Sequence, residues 1–292
     1  MNFSLFFPPA SCTSYHQAID LCLELGLTGL ELFPMLELES GDLEAAKAIG
    51  EAARAKGLAL PCLSVATDLA AQDGADRVAL LKHWADCAAA LGIPYLHHTL
   101  ALQLEPGYGP VTYRQLRDRV IPQAREICDY AADRGVTILY EDQGLYINGA
   151  TRFGDFLGCL DRPAGICLDV GNCMFVDELA HDFLPQFLPF VRHVHVKDYL
   201  RRDAKMPHPG PGWYTTARGD RLLEVPMGYG HVEFERIFAM LLGYGYDGWY
   251  SAEYCGQGDR AALELSVRNV RRYYENAQRA AALDTPSTLR SV

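Results

Sequence analysis

The chain has 292 residues, 49% hydrophobic and 22% charged, enough to bury a large core and near the size of one α/β barrel. Its formal net charge of −11 argues against a nucleic-acid partner, which would need clustered Lys and Arg. No apolar run is long enough to span a bilayer, so no membrane partner is expected. Nine scattered cysteines without CxxC pairs argue against a disulfide framework or zinc ribbon and read as reduced thiols of a cytoplasmic protein.

The opening MNFSLFFPPASC has no basic leading segment, and Pro8 and Pro9 break its apolar run, so no signal peptide is expected. Residues 2–7 read as a first strand and 13–25 as a helix. The pattern then repeats: strands near 28–33, 58–65, 93–99, 136–141, 165–170, 191–197 and 248–253 alternate with helices near 42–56, 75–91, 112–134, 151–160, 177–189, 231–243 and 258–278. Five helices are separated from the next strand by a glycine, at 26, 57, 92, 135 and 245; a helix C-terminus favours Gly because the left-handed cap has no side-chain penalty. The runs before these glycines have helical spacing, as in Ile127, Tyr130 and Ala131, and the runs after them are short and apolar, as buried parallel strands should be.

Eight strands alternating with eight helices predict a single (β/α)8 TIM barrel over residues 1–280, with 281–292 as a loosely ordered tail. A doubly wound open sheet is the competing fold, but no GxGxxG opens the first helix. The connection from Tyr199 to about Gly230 is long, rich in Pro and Gly, and carries Arg201, Arg202, Lys205, Arg218 and Arg221. It reads as a loop serving as a lid or subunit contact.

Catalytic groups of this barrel sit at the C-terminal ends of its strands. Four ends stand out: LYEDQG with Glu141, CLDVGN with Asp169, HVHVKD with His195 and SAEYCG with Glu253. Steps of two along each strand place Thr137, Leu139 and Glu141 on one face, likewise Cys167 and Asp169, then His193, His195 and Lys197, and finally Trp249, Ser251 and Glu253. Three carboxylates converging in a partly dry cavity repel by about 4 kcal/mol per pair at 4 Å and moderate dielectric. A divalent cation relieves that repulsion. Three oxygen donors and one nitrogen suit Mn2+ foremost, with Mg2+, Co2+ or Zn2+ also compatible. His193 reads as an interior hydrogen-bonded support. Glu31 in TGLELF and His97 or His98 in YLHHTLA also end strands and are candidates for shaping a pocket, with Lys197 beside them.

This order of motifs resembles the xylose isomerase-like barrels, most of all their ketose 3-epimerase members and hydroxypyruvate isomerase. The likeness in element order spans nearly the whole chain; its motifs lie in the second half. It implies that Glu141 and Glu253 are both metal ligands and acid/base groups, that Asp169 and His195 complete the metal site, and that Arg201 contacts substrate oxygens. VPMGYGHVEF resembles the family's Pro-x-Gly-x-Gly turn. Several members carry His three residues after the metal Asp; here it is Asn172, which can bind a sugar hydroxyl but cannot titrate near neutrality. Together with Arg201, Lys197, His193, His97 and Glu31, Asn172 completes the expected substrate-binding set. The resemblance implies a small-molecule sugar substrate, proton abstraction beside a chelated carbonyl through an enediolate, and a homo-oligomer, dimer or tetramer. A dehydratase similar to inosose dehydratase is the nearest alternative. An apurinic-site endonuclease-like hydrolase is more remote, because it needs further ligands and a basic groove.

Overall fold

The computed structural model describes residues 1–71, 74–102, 109, 111–254 and 259–283. The chain alternates as expected: β1 (Asn2–Leu5), α1 (Tyr15–Glu24), β2 (Gly29–Leu30), α2 (Leu43–Ala55), β3 (Leu63–Val65), α3 (Gly74–Ala90), β4 (Tyr95–His98), α4 (Tyr113–Ala132), β5 (Thr137–Glu141), α5 (Ala150–Leu160), β6 (Gly165–Asp169), α6 (Ala180–Phe187) and β7 (Val191–Val196). After β8 (Tyr199–Arg202), β9 (Tyr214–Thr215) and β10 (Arg221–Glu224) come α7 (Phe234–Tyr244), β11 (Trp249–Ala252) and α8 (Arg260–Leu283).

Eight strands form one parallel sheet in the order β2-β1-β11-β7-β6-β5-β4-β3. Isolated parallel bridges Gly29↔Ala59 and Leu32↔Leu63 join its two ends, which closes a single (β/α)8 barrel. Its outer face packs under the helices through Leu5, Leu96, Ile138, Tyr140, Leu168, Val194 and Tyr250, all essentially inaccessible. A separate layer of Cys62, Leu139 and Cys167 fills the interior below the mouth.

Local chemistry fixes the helix ends. The five predicted glycines adopt φ of +64° (Gly26), +80° (Gly57), +63° (Gly92), +72° (Gly135) and +88° (Gly245). Thr112 and Gln115 form a reciprocal capping box at the start of α4, and the Asp42 carboxylate accepts Glu44 N at 2.8 Å to open α2.

One expectation needs revision. The segment after Tyr199 is not an irregular loop: β8, β10 and β9 make an antiparallel three-stranded sheet, too short-stranded and too interrupted by Pro and Gly to be read from sequence. The last helix runs to Leu283; residues 284–292 of the expected tail lie outside the described residues, as does Cys255. The other eight cysteines are free thiols.

The inserted sheet is anchored at both ends. Asp198 O accepts Val225 N at 3.1 Å and Tyr199 O accepts His231 N at 2.9 Å. The Asp198 carboxylate takes the N–H groups of Gly228 (2.8 Å), Gly230 (2.8 Å) and Val232 (3.1 Å). A methyl group at 230 would overlap that carboxylate, which is why the PMGYGHV turn needs glycine there.

Candidate metal centre

Glu141 ends β5, Asp169 ends β6, His195 sits near the end of β7 and Glu253 directly follows β11. In register, Asp169 pairs with His195 and His195 with Ser251, so the strands deliver these groups to one level. One donor atom from each of Glu141, Asp169, His195 and Glu253 lies within 4.8 Å of the others, and all four residues are buried. The hydrophobic strand VRHVHV tolerates two imidazoles because Val194 and Val196 face the outer core while His193 and His195 face the barrel interior.

Each member has one side committed and another facing the shared space. Asp169 Oδ1 accepts Gly171 N at 2.7 Å and Asn172 N at 2.9 Å. Glu141 Oε1 accepts the Asn172 amide at 3.1 Å. His195 Nδ1 lies 3.1 Å from Glu253 Oε2 and 3.5 Å from Glu141 Oε1. Asp169 Oδ2, Glu253 Oε2 and His195 Nδ1 have no hydrogen bond among the described residues, although buried polar atoms are normally satisfied. Burial pushes the Asp169 carboxyl up to about 7, Lys197 opposing and Glu253 and Glu141 adding to the shift. For Glu141 burial acts in the same sense, but His97 and His195 prevail and hold it well below the usual carboxylate range. These unsatisfied oxygens and the imidazole nitrogen form a hard donor set that could hold a divalent ion.

Glu31 determines how His195 presents itself. It is fully buried and accepts from His193 Nε2 at 2.7 Å, His195 Nε2 at 3.0 Å and the Ser64 hydroxyl. Because a carboxylate only accepts, Nε2 of His195 carries a hydrogen, which leaves Nδ1 as the ring atom turned toward the three acids. Burial opposes ionisation of Glu31, but His195 and His193 hold its carboxyl well below the usual range. Glu31 and His193 therefore sit behind His195, contacting its far edge or its carboxylate partner.

The remaining expected residues divide. His97 faces inward, with Nε2 3.2 Å from Glu141 Oε2 and Nδ1 2.8 Å from Ser64 Oγ. His98 faces outward, bonded to Thr99 O at 3.0 Å with its ring edge-on to Tyr140. Lys197 Nζ pairs with Glu253 Oε1 and stands 3.4 Å from Asp169 Oδ2. Asn172 bonds Glu141 directly. Arg201 lies on the inserted sheet, its guanidinium held by Asp220 at 2.6 Å and Asp177 at 3.1 Å.

Sequence reading missed several groups. Phe6 stacks on His195 with ring centroids 4.5 Å apart, and Phe6, Phe7 and Phe33 line a cleft with His97, Glu141 and Glu253. Stepping by two from inward-facing Ser4, whose hydroxyl bonds Ser251, would have found Phe6. Ser64, linking Glu31 to His97, lies two residues beyond Cys62 of the interior layer. Asp142 braces the Asp169 turn from outside, accepting Asp169 N at 3.2 Å and the Cys173 thiol at 3.0 Å.

Comparison with known proteins agrees with this architecture. Curated relatives include an inosose dehydratase of Bacillus thuringiensis (strain Al Hakam), 25% identical over 125 residues, 42% of each chain; the match thus spans less than half of that relative. Among solved structures, an L-ribulose 3-epimerase superposes with a TM-score of 0.75 at 15% identity, over 98% of both chains. A xylose isomerase-like TIM barrel protein from Mycobacterium smegmatis, in complex with magnesium, superposes with a TM-score of 0.70 at 20% identity, over 90% of this chain and 89% of that one. The model of the xylose isomerase-like TIM barrel family matches residues 19–277, and the chain belongs to that family.

Proposed function

We propose that the chain is a metal-dependent enzyme that moves a proton at a sugar carbon next to a carbonyl, as an epimerase or isomerase of ketoses or their derivatives. One observation carries this reading: three buried carboxylates and an imidazole converge, with Asp169 Oδ2, Glu253 Oε2 and His195 Nδ1 left without hydrogen bonds. Glu141, Asp169, His195 and Glu253 are the residues that would hold the ion, Mn2+ foremost. A divalent cation bound there supplies Lewis-acid polarisation of substrate oxygens and stabilises the charge of an enediolate.

The side chains divide the remaining work. Glu141 and Glu253 come from strands on different sides of β6 and β7, so they can address opposite faces of one carbon. Removal by one and return by the other inverts the centre; movement by a single carboxylate between adjacent carbons gives isomerisation. Asn172 and His97 fix the Glu141 carboxylate from two directions, and Phe6, Phe7 and Phe33 limit water at the cleft. The titratable groups are thereby pre-positioned, the feature proton transfer at carbon depends on most.

Elimination of water is the second reading, favoured by the match to inosose dehydratase over 42% of the chain and by Lys197 beside Glu253, which could protonate a departing hydroxide. A ketose and inosose panel in deuterated water, followed by NMR with and without chelator, tests both. Epimerase or isomerase action predicts metal-dependent deuterium uptake with the carbon skeleton and oxygen count retained. Loss of one oxygen would transfer the assignment to the dehydratase, and turnover unaffected by chelation would remove the metal from the mechanism.

A further inference from the structure

The mechanism above uses Lys197 little, yet it is the charged group most intimately placed among the acids. Its side chain is 7% exposed and reaches Glu253 Oε1 and Asp169 Oδ2 together. It comes from β7, the strand carrying His195, and the same period-two alternation that aims His195 inward aims Lys197 inward one step further up. Both contacts fall on residues of the proposed donor set, and on Asp169 the contact is with the oxygen that has no hydrogen bond.

We propose that Lys197 is a built-in counter-charge and competitor for the divalent ion, setting how tightly the site holds its metal; this rests on the metal-dependent reading above. Glu141, Asp169 and Glu253 contribute three negative charges when ionised, and Lys197 with one divalent ion contributes three positive, so the charges of these three acids are balanced in the loaded site, Glu31 behind His195 lying outside that count. Without the ammonium the donor set would carry an excess negative charge and attract a cation more strongly. With it, an incoming ion meets a like charge 3.4 Å from the Asp169 oxygen it needs. Lys197 also ties Glu253 Oε1 down, leaving Oε2 to face His195 Nδ1 at 3.1 Å.

A lysine that merely supported ligand geometry would predict the opposite outcome, which makes the test direct. The full-length protein is stripped with chelator, and Mn2+ is titrated calorimetrically into wild type, Lys197→Met and Lys197→Gln, with melting temperatures recorded for stripped and loaded forms. Both variants should bind Mn2+ roughly tenfold or more tightly, as removal of a like charge a few ångströms away predicts. Their stripped forms should melt lower than stripped wild type, and their loaded forms close to loaded wild type. Agreement between Met and Gln separates charge from packing. Equal or weaker Mn2+ binding with loaded stability intact would overturn the inference while leaving the metal site standing. Failure of wild type and both variants to bind Mn2+ would overturn the proposed metal site, and this inference with it.

Discussion

His97 and His98 are consecutive residues of one strand and almost equally buried, yet their rings serve different parts of the molecule. The first meets Glu141 and Ser64 inside the barrel; the second lies against Tyr140 beneath the helices. The same division runs through β7, where His193 and His195 bond Glu31 while Val194 and Val196 fill the outer core. The outer face is an apolar surface in which a polar group must satisfy itself locally. The inner face above the Cys62–Leu139–Cys167 layer is a polar network in which groups are held for one another.

This contrast can be broken most sharply at Glu253. Glu253→Gln keeps the side-chain volume and removes the proposed base, so turnover should fall by about 10³-fold or more while part of the metal affinity survives; steady-state kinetics beside Mn2+ titration checks it, and substantial residual activity would refute the role. Glu31 comes next. Glu31→Gln turns an acceptor-only group into one that can also donate, which loosens His195, and metal affinity should drop by about 10–100-fold as read by calorimetry.

On the outer face the expected signature is stability. Burial lowers His98 to about 3, Thr99 O opposing and His97 reinforcing the shift. The sign follows: between an unfolded value near 6.5 and about 3, the unfolded chain binds a proton that the folded chain does not, so this residue lowers stability as pH falls through that window. Removing it in His98→Gln should flatten the acid limb of urea unfolding, by an amount on the order of 2–3 kcal/mol at pH 4; the matching change at His97 should act mainly on kcat. The smallest expected effect is at Asn172, where Ala deletes one hydrogen bond to Glu141 and should lower kcat by about tenfold or less with melting temperature little changed.

Much of the inner face was legible in the sequence because its logic is periodic. The helix–Gly–strand punctuation gave the eight units, and stepping by two from the apolar residues identified Glu141, Asp169, His195 and Glu253. What escaped notice lacked a period or an unusual residue type. Phe6 and Phe33 look like ordinary core aromatics until their positions at strand ends are known. Ser64 is separated by 33 residues from Glu31, itself named at its strand end, and no local pattern connects the two. Arg201 follows a motif, but its two carboxylate partners, Asp177 in a turn and Asp220 just before β10, are brought together only by the folded insert.

The sewn ends of that insert carry one more implication. Because the excursion leaves and rejoins the barrel through Asp198 and its three backbone donors, its interior length is uncoupled from barrel closure, and lengthening such a segment costs little in chain entropy. Evolution or an engineer could trade the cassette between Tyr199 and Gly228 for another of different size while the Asp198 clasp keeps the barrel beneath unchanged.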